Sequence, residues 1–247
     1  MASLDIRRGA DRGTLKLDWL YARFSFSFGD YHDPDRNGFG PLVALNEDVI
    51  QPGTGFAMHQ HRDMEIFIIP LSGAIEHRDS LGSHAYVYPG DVQKMTAGSG
   101  IWHSQMNASM TEEDHHLQVW VRPRTRGATP AVDQRRFDRG QRTGRWQALV
   151  TPDGRGGSLT VDQDVSILAG ILLPGHVLEM AVPASSSAYL HVVQGSIRVE
   201  TARSMPLALE GGDALAMTMS GQLQLSTTSP DAEVLAFVFP SASIAGS

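Results

Sequence analysis

The stretch GFAMHQHRDMEIF, residues 55–67, carries two histidines two positions apart, His59 and His61, ahead of a run of β-branched and aromatic residues. In an extended strand residues i and i+2 face the same side, so both imidazoles project together. Similar short runs recur outward from it: EIFIIPLSG (65–73), HAYVYPGD (84–91), YLHVVQGSIRV (189–199) and EVLAFVFP (233–240). Each is rich in strand formers and ends in Gly, Pro or Asp, and no long segment has the helical period. Regular short strands with turn chemistry between them indicate an all-β chain of barrels or sandwiches.

The 247 residues suffice for one large or two modest domains. Net charge is −7, which argues against direct nucleic-acid binding as the main activity. The chain has no Cys, so disulfides, thiolate metal sites and cysteine nucleophiles are excluded. Neither a signal-peptide core near the N-terminus nor an apolar stretch of bilayer length is present. The expectation is a soluble cytoplasmic protein without membrane partners.

An internal repeat organises the rest. Under a shift of 122 residues, Pro52-Gly53 falls on Pro174-Gly175, Gly73 on Gly195, Gly90-Asp91 on Gly212-Asp213 and Met95-Thr96 on Met217-Thr218. Matching Gly and Pro positions mean matching backbone turns. Two β-barrel-like domains are expected, residues 1–135 and 136–247, with the boundary in the Arg- and Gly-rich stretch 122–146. The same shift sets His59 on Ala181, His61 on Pro183, His103 on Leu225 and Gln105 on Thr227. Candidate ligands therefore lie in the first half alone.

His103 sits in IWHSQMN (101–107) after a glycine-rich turn, and Gln105 shares its face by strand parity. Three imidazoles and an oxygen donor from two strands suit one divalent transition metal with open positions for substrate. The bland alternative is a solvated or core HxH pair without a metal. His77, His84, His115 and His116 read as solvated or structural histidines, and His32, His176 and His191 carry no assignment.

At these residues the chain resembles the cupin superfamily, and within it the pirin family. PGTGFAMHQHRDME fits the pattern PG-x5-H-x-H-x3-E, and GSGIWHSQMN fits G-x2-H-x3-N. WLYARFSFSFGDYHDPDRNGFG, HRDMEIFIIPLSGAIEHRDSLG, PGDVQKMTAGSGIWHS and QRRFD are similar to pirin segments. The resemblance implies a bicupin, two barrels face to face, with one metal in the N-terminal barrel and a degenerate C-terminal one. It implies His59, His61 and His103 as ligands, with Fe(II) placed first and Ni, Cu, Zn or Mn as alternatives. The family's fourth ligand is a glutamate, and this chain has Gln105 there.

An amide donates a neutral, weaker oxygen than a carboxylate, so low metal occupancy is expected. The resemblance also implies quercetin 2,3-dioxygenase activity on flavonols, in which that glutamate takes the substrate's hydroxyl proton. Glutamine cannot. A nearby carboxylate or a metal-bound hydroxide would have to replace it. Glu65 is the candidate substitute ligand or an imidazole's hydrogen-bond partner; at i+4 from His61 it reaches the metal only if the strand bends near Arg62-Asp63. The alternatives are a non-catalytic metal- or small-molecule-binding regulator of a protein partner, and an empty scaffold.

Overall fold

The structure, a computed structural model, describes residues 4–202, 204–218 and 220–240. Among these there is no α-helix, only three short 3-10 turns between strands, and no helix long and apolar enough to cross a membrane. The chain is all-β, as expected. In chain order the first strands are β1 (Leu4–Arg7), β2 (Gly13–Lys16), β3 (Leu20–Phe24), β4 (Leu42–Ile50), β5 (Gly55–His61) and β6 (Glu65–Ser72). There follow β7 (Ile75–Asp79), β8 (His84–Val87), β9 (Asp91–Thr96), β10 (Ile101–Asn107), β11 (Asp114–Val121) and β12 (Ala131–Arg136). Beyond residue 138 come β13 (Gln147–Thr151), β14 (Leu159–Thr160), β15 (Ser166–Leu172), β16 (Val177–Val182) and β17 (Ser186–Gln194). The last are β18 (Ser196–Thr201), β19 (Ser204–Glu210), β20 (Ala214–Met217), β21 (Gly221–Ser226) and β22 (Ala232–Pro240).

Two compact units result, Gly13–Phe137 and a second made of Met1–Arg12 with Asp138–Ser247. The first unit pairs a seven-stranded sheet, β12-β9-β6-β11-β4-β3-β2, with a four-stranded sheet, β5-β10-β7-β8. Ile66 and Ile68 of β6 pack with Ile75, Val87, Met95 and Ile101 from both sheets, closing one end of the interior with hydrocarbon. The other end is built by Leu20, Ala22, Phe24 and Ile50. Burying such side chains is the main favourable term in closing a barrel.

The second unit repeats the plan, with a seven-stranded sheet β1-β20-β17-β22-β15-β13-β14 and a four-stranded sheet β16-β21-β18-β19. Its first strand comes from the chain's start. β1 pairs antiparallel with β20, and Asp213 accepts from Gly9 N at 2.6 Å and from Arg8 at 2.7 Å. The division 1–135 and 136–247 gives this strand to the N-terminal domain; its hydrogen bonds are with the C-terminal sheet.

The repeat is visible in the registers, with two slips. Ile66 pairs Met95 as Ala188 pairs Met217, so the 122-residue shift holds through β9. His103 pairs Asp79 as Leu223 pairs Thr201, and Gln105 pairs His77 as Leu225 pairs Val199. The equivalents of His103 and Gln105 are therefore Leu223 and Leu225, two residues from the positions the constant shift gives. A second slip precedes the last strand: His116 pairs Asp48 as Val234 pairs Gly170. Connections between strands shorten while strand pairing keeps its register, which a gapless comparison cannot register.

Candidate metal centre

β5 and β10 are neighbours in the four-stranded sheet, and their antiparallel register sets His103 opposite His59 and Ile101 opposite His61. Glycine permits this entry. Gly55 has φ +154° and lies so close to β10 that an added Cβ would stand 2.6 Å from Met106 Cα. A register irregularity between His103 and Gln105 then separates the histidine row from the glutamine.

His59, His61 and His103 bring one ring nitrogen each to within 4.8 Å of one another. His59 Nδ1–H donates to Ala57 O at 2.7 Å, which commits its proton to that side and leaves Nε2 with its lone pair. His59 Nε2 lies 3.1 Å from His103 Nε2. Burial and the neighbouring His59 push the His61 pKa down to about 4. Burial first, then His59, His61 and His77, push His103 down to about 2. Both rings are neutral in the physiological range, the form a cation requires. The three residues expected from sequence are brought together, with nitrogens that fit a divalent transition metal.

Gln105 is buried beside them and turns toward a second polar group. Its side-chain Nε2 lies 3.1 Å from His116 Nε2, and His116 Nδ1–H donates to Asp114 Oδ2 at 2.6 Å. Asp48 Oδ2 is 3.6 Å from His116 Nε2 across the β4–β11 pair. Burial opposes charge on His116, but the hydrogen bond to Asp114 and the charges of Asp114 and Asp48 raise its pKa overall. His77 is buried next to His103, with ring centroids 5.3 Å apart, and its Nε2–H donates to Asp79 Oδ2 at 3.0 Å. Burial works against the Asp79 carboxylate; hydrogen bonds from His77, Ser83 and Leu81 outweigh it and lower its pKa.

The sequence reading missed this buried set. Its signal was the parity Asp114, His116, Gln118, Trp120 along one face of β11. His84 and His115 instead pair with Glu76 at 2.7 Å and Glu47 at 3.0 Å nearer the surface.

Glu65 stands apart from the histidine group. The chain turns at Asp63, φ +51°, held by Asp63 N donating to Gly98 O at 2.9 Å and by Gly127 N donating to Asp63 Oδ1 at 2.6 Å. β6 therefore starts anew in the other sheet. Glu65 lies on the opposite face of β6 from Ile66 and Ile68, its carboxylate accepting from Thr96 Oγ1 at 2.9 Å with Lys94 Nζ at 3.8 Å. The bend near Arg62-Asp63 exists, but it carries Glu65 away from the site.

A cavity of about 620 Å³ opens beside the histidines, and His59, His61 and Gln105 form part of its wall. Phe24, Phe28, Tyr31, Phe56 and Trp120 add aromatic wall, and Asp30, Asn46, Asp48 and Gln118 add polar groups. The volume is within the ~300–1,000 Å³ usual for small-molecule sites. Trp120 meets His61 edge-on at 4.9 Å and Phe28 at 5.0 Å, and its Nε1–H donates to Gln118 Oε1 at 2.7 Å. The site offers flat aromatic walls with a row of nitrogen ligands at one side.

Residues 6–121 match the Pirin family model, and residues 148–238 match that of the quercetinase C-terminal cupin domain. The chain is 37% identical over 235 residues to a quercetin 2,3-dioxygenase of Escherichia coli K12, covering 95% of this chain and 98% of that protein. The crystal structure of a bacterial pirin from Escherichia coli in complex with nickel(II) superposes with a TM-score of 0.89 at 36% identity, over 96% of this chain and 99% of that one.

Proposed function

This chain belongs to the pirin family of bicupins, and from that premise we propose that its N-terminal barrel is a metal-dependent oxygenase site of the quercetin 2,3-dioxygenase type, weakened by Gln105. The observation that carries the reading is the convergence of His59, His61 and His103 on the wall of an aromatic-lined cavity of about 620 Å³. His59, His61 and His103 would hold the cation, with Gln105 as a weak fourth donor. A divalent transition metal bound there would supply Lewis acidity and redox capacity. Among the alternatives to the Fe(II) that family likeness places first, nickel(II) gains support from the Escherichia coli relative.

The chain's own residues do the rest. Trp120, Phe28 and Phe56 flank a flat polyphenol and exclude water from it. His59 is held in one tautomer by Ala57 O, so its Nε2 needs no reorganisation to bind. Gln105 leaves the centre one negative charge poorer than a glutamate would, which lowers metal affinity. The reading places the protein in the cytoplasm with a flavonol as substrate. Metal-loaded protein is incubated with quercetin and oxygen, and flavonol absorbance and carbon monoxide are followed. Turnover no faster than free metal overturns the reading for that substrate.

The amide at position 105 favours one second reading, a metal- or small-molecule-binding regulator of a protein partner without catalysis. Stoichiometric flavonol binding with no oxygen consumption distinguishes it.

A further inference from the structure

The interior of the first unit is polar where the second unit is hydrocarbon. Matched by strand register, Asp48, Asp114, His116 and Gln118 correspond to Gly170, Ala232, Val234 and Ala236. Ala232, Val234 and Ala236 belong to the continuous apolar core of that unit. The same architecture therefore closes without a buried carboxylate or imidazole in these places. Burying such groups costs free energy even when they are hydrogen-bonded. Asp48 and Asp114 are 2% and 0% exposed, and His116 is 0% exposed. Stability alone does not account for them.

Among the described residues two carboxylates line the cavity, Asp30 and Asp48. Asp30 is exposed on the loop after β3, whereas Asp48 sits on the buried sheet face between Ala22 and His116. It shares the cavity wall with His59, His61 and Gln105. His116 is fixed from behind by Asp114 and from the side by Gln105, so the imidazole beside Asp48 has little freedom. Phe24 and Trp120 line the same cavity, so an aromatic ring held there has the Asp48 carboxylate in its wall.

We propose that Asp48 is the catalytic base of this site, accepting the hydroxyl proton of a bound polyphenol, with His116 and Asp114 as its positioning residues. The inference rests on the oxygenase reading above. In the step the substrate's O–H bond breaks, the electron pair stays on oxygen, and the proton bonds to an Asp48 carboxylate oxygen. No electron is transferred. The product is an electron-rich phenolate-type anion, the form of such rings that reacts with electrophiles. Gln105, a neutral amide, has no site that takes this proton at ordinary pH.

The test is anaerobic titration of quercetin into metal-loaded wild type, Asp48→Asn, Asp48→Glu and Asp30→Asn, reading the long-wavelength flavonol band, which moves to the red on deprotonation. Turnover in oxygen is measured in parallel, and metal content and far-ultraviolet circular dichroism check each fold. Wild type and Asp48→Glu are expected to show the red shift. Asp48→Asn is expected to bind quercetin within about threefold of wild type without the shift, with kcat reduced about a hundredfold or more and KM little changed. An unchanged shift in Asp48→Asn overturns the assignment, as does its loss in Asp30→Asn alone. If Asp48→Asn does not fold, Asp48→Glu and wild type decide: a wild type that binds and turns over quercetin with no red shift overturns the base while leaving the oxygenase reading intact. Wild type that binds no quercetin overturns both.

Discussion

His59 and His103 face each other with their Nε2 atoms 3.1 Å apart, while the Nδ1 proton of His59 is committed to Ala57 O at 2.7 Å. Two ring nitrogens from different strands thus border one small volume, and His61 adds a third within 4.8 Å. Ring nitrogens so placed suit a cation lying between them. Much of the protein's testable behaviour follows from that arrangement.

Metal content is the first consequence. Protein purified without a metal-affinity tag is expected to contain less than one equivalent of divalent transition metal by elemental analysis. Gln105→Glu restores a negative charge and should raise occupancy, whereas His59→Ala should abolish it. An occupancy unmoved by Gln105→Glu means that position 105 does not contribute to the centre.

Acid sensitivity is the second. The folded state holds His61 down to about 4 and His103 down to about 2, whereas in the unfolded chain both titrate near ~6.5. As pH falls below the unfolded value, the unfolded chain binds protons that the folded one refuses, so stability is lost from about pH 6.5 downward. The metal-free Tm should therefore fall as pH is lowered from 7 toward 4. His103→Leu, which copies Leu223 of the second unit, should flatten part of that limb; an identical pH dependence in the variant would contradict the assignment.

The buried pair of Asp114 and His116 gives a third. Asp114→Ala leaves the fully buried His116 without its 2.6 Å partner and should cost about 3–5 kcal/mol in denaturant unfolding. Adding His116→Val reproduces the Ala232 and Val234 pair of the second unit. The double variant should regain part of the loss, a positive coupling read directly from the cycle. Additive losses would show that the polar pair holds the fold in a way the hydrocarbon pair cannot.

Ligand recognition gives a fourth. Trp120 stands edge-on to His61 at 4.9 Å and forms part of the cavity wall. Trp120→Ala should weaken anaerobic quercetin binding about two- to tenfold, the value of one aromatic contact, while leaving metal content unchanged. Equal affinity in the variant would place the flavonol elsewhere.

Much of this was legible in the chain. Short runs of strand formers between Gly, Pro and Asp can only be an all-β protein, and the HxH spacing puts both imidazoles on one face in any strand. His103 was legible because its glycine-rich turn marks the entry to another strand. The polar interior was less so. Asp48, His77, Asp114 and His116 are scattered over 69 positions, and their common fate appears only when β4, β7, β10 and β11 pair. Glu65 depended on a bend whose direction spacing along one strand does not fix: the left-handed turn at Asp63 is present, but it starts a new strand in a different sheet.

The sequence by itself determined strand content, the duplication and the three histidines, because period, turn chemistry and parity act over a few residues. Tertiary structure decided which strands are neighbours, and hence that Asp48 and His116 meet, that the repeat slips before β10 and again before β11, and that Gln105 turns to an imidazole. Pairing between strands distant in sequence fixes those relationships, and the free energy of burying the interior, not any local pattern, selects the pairing.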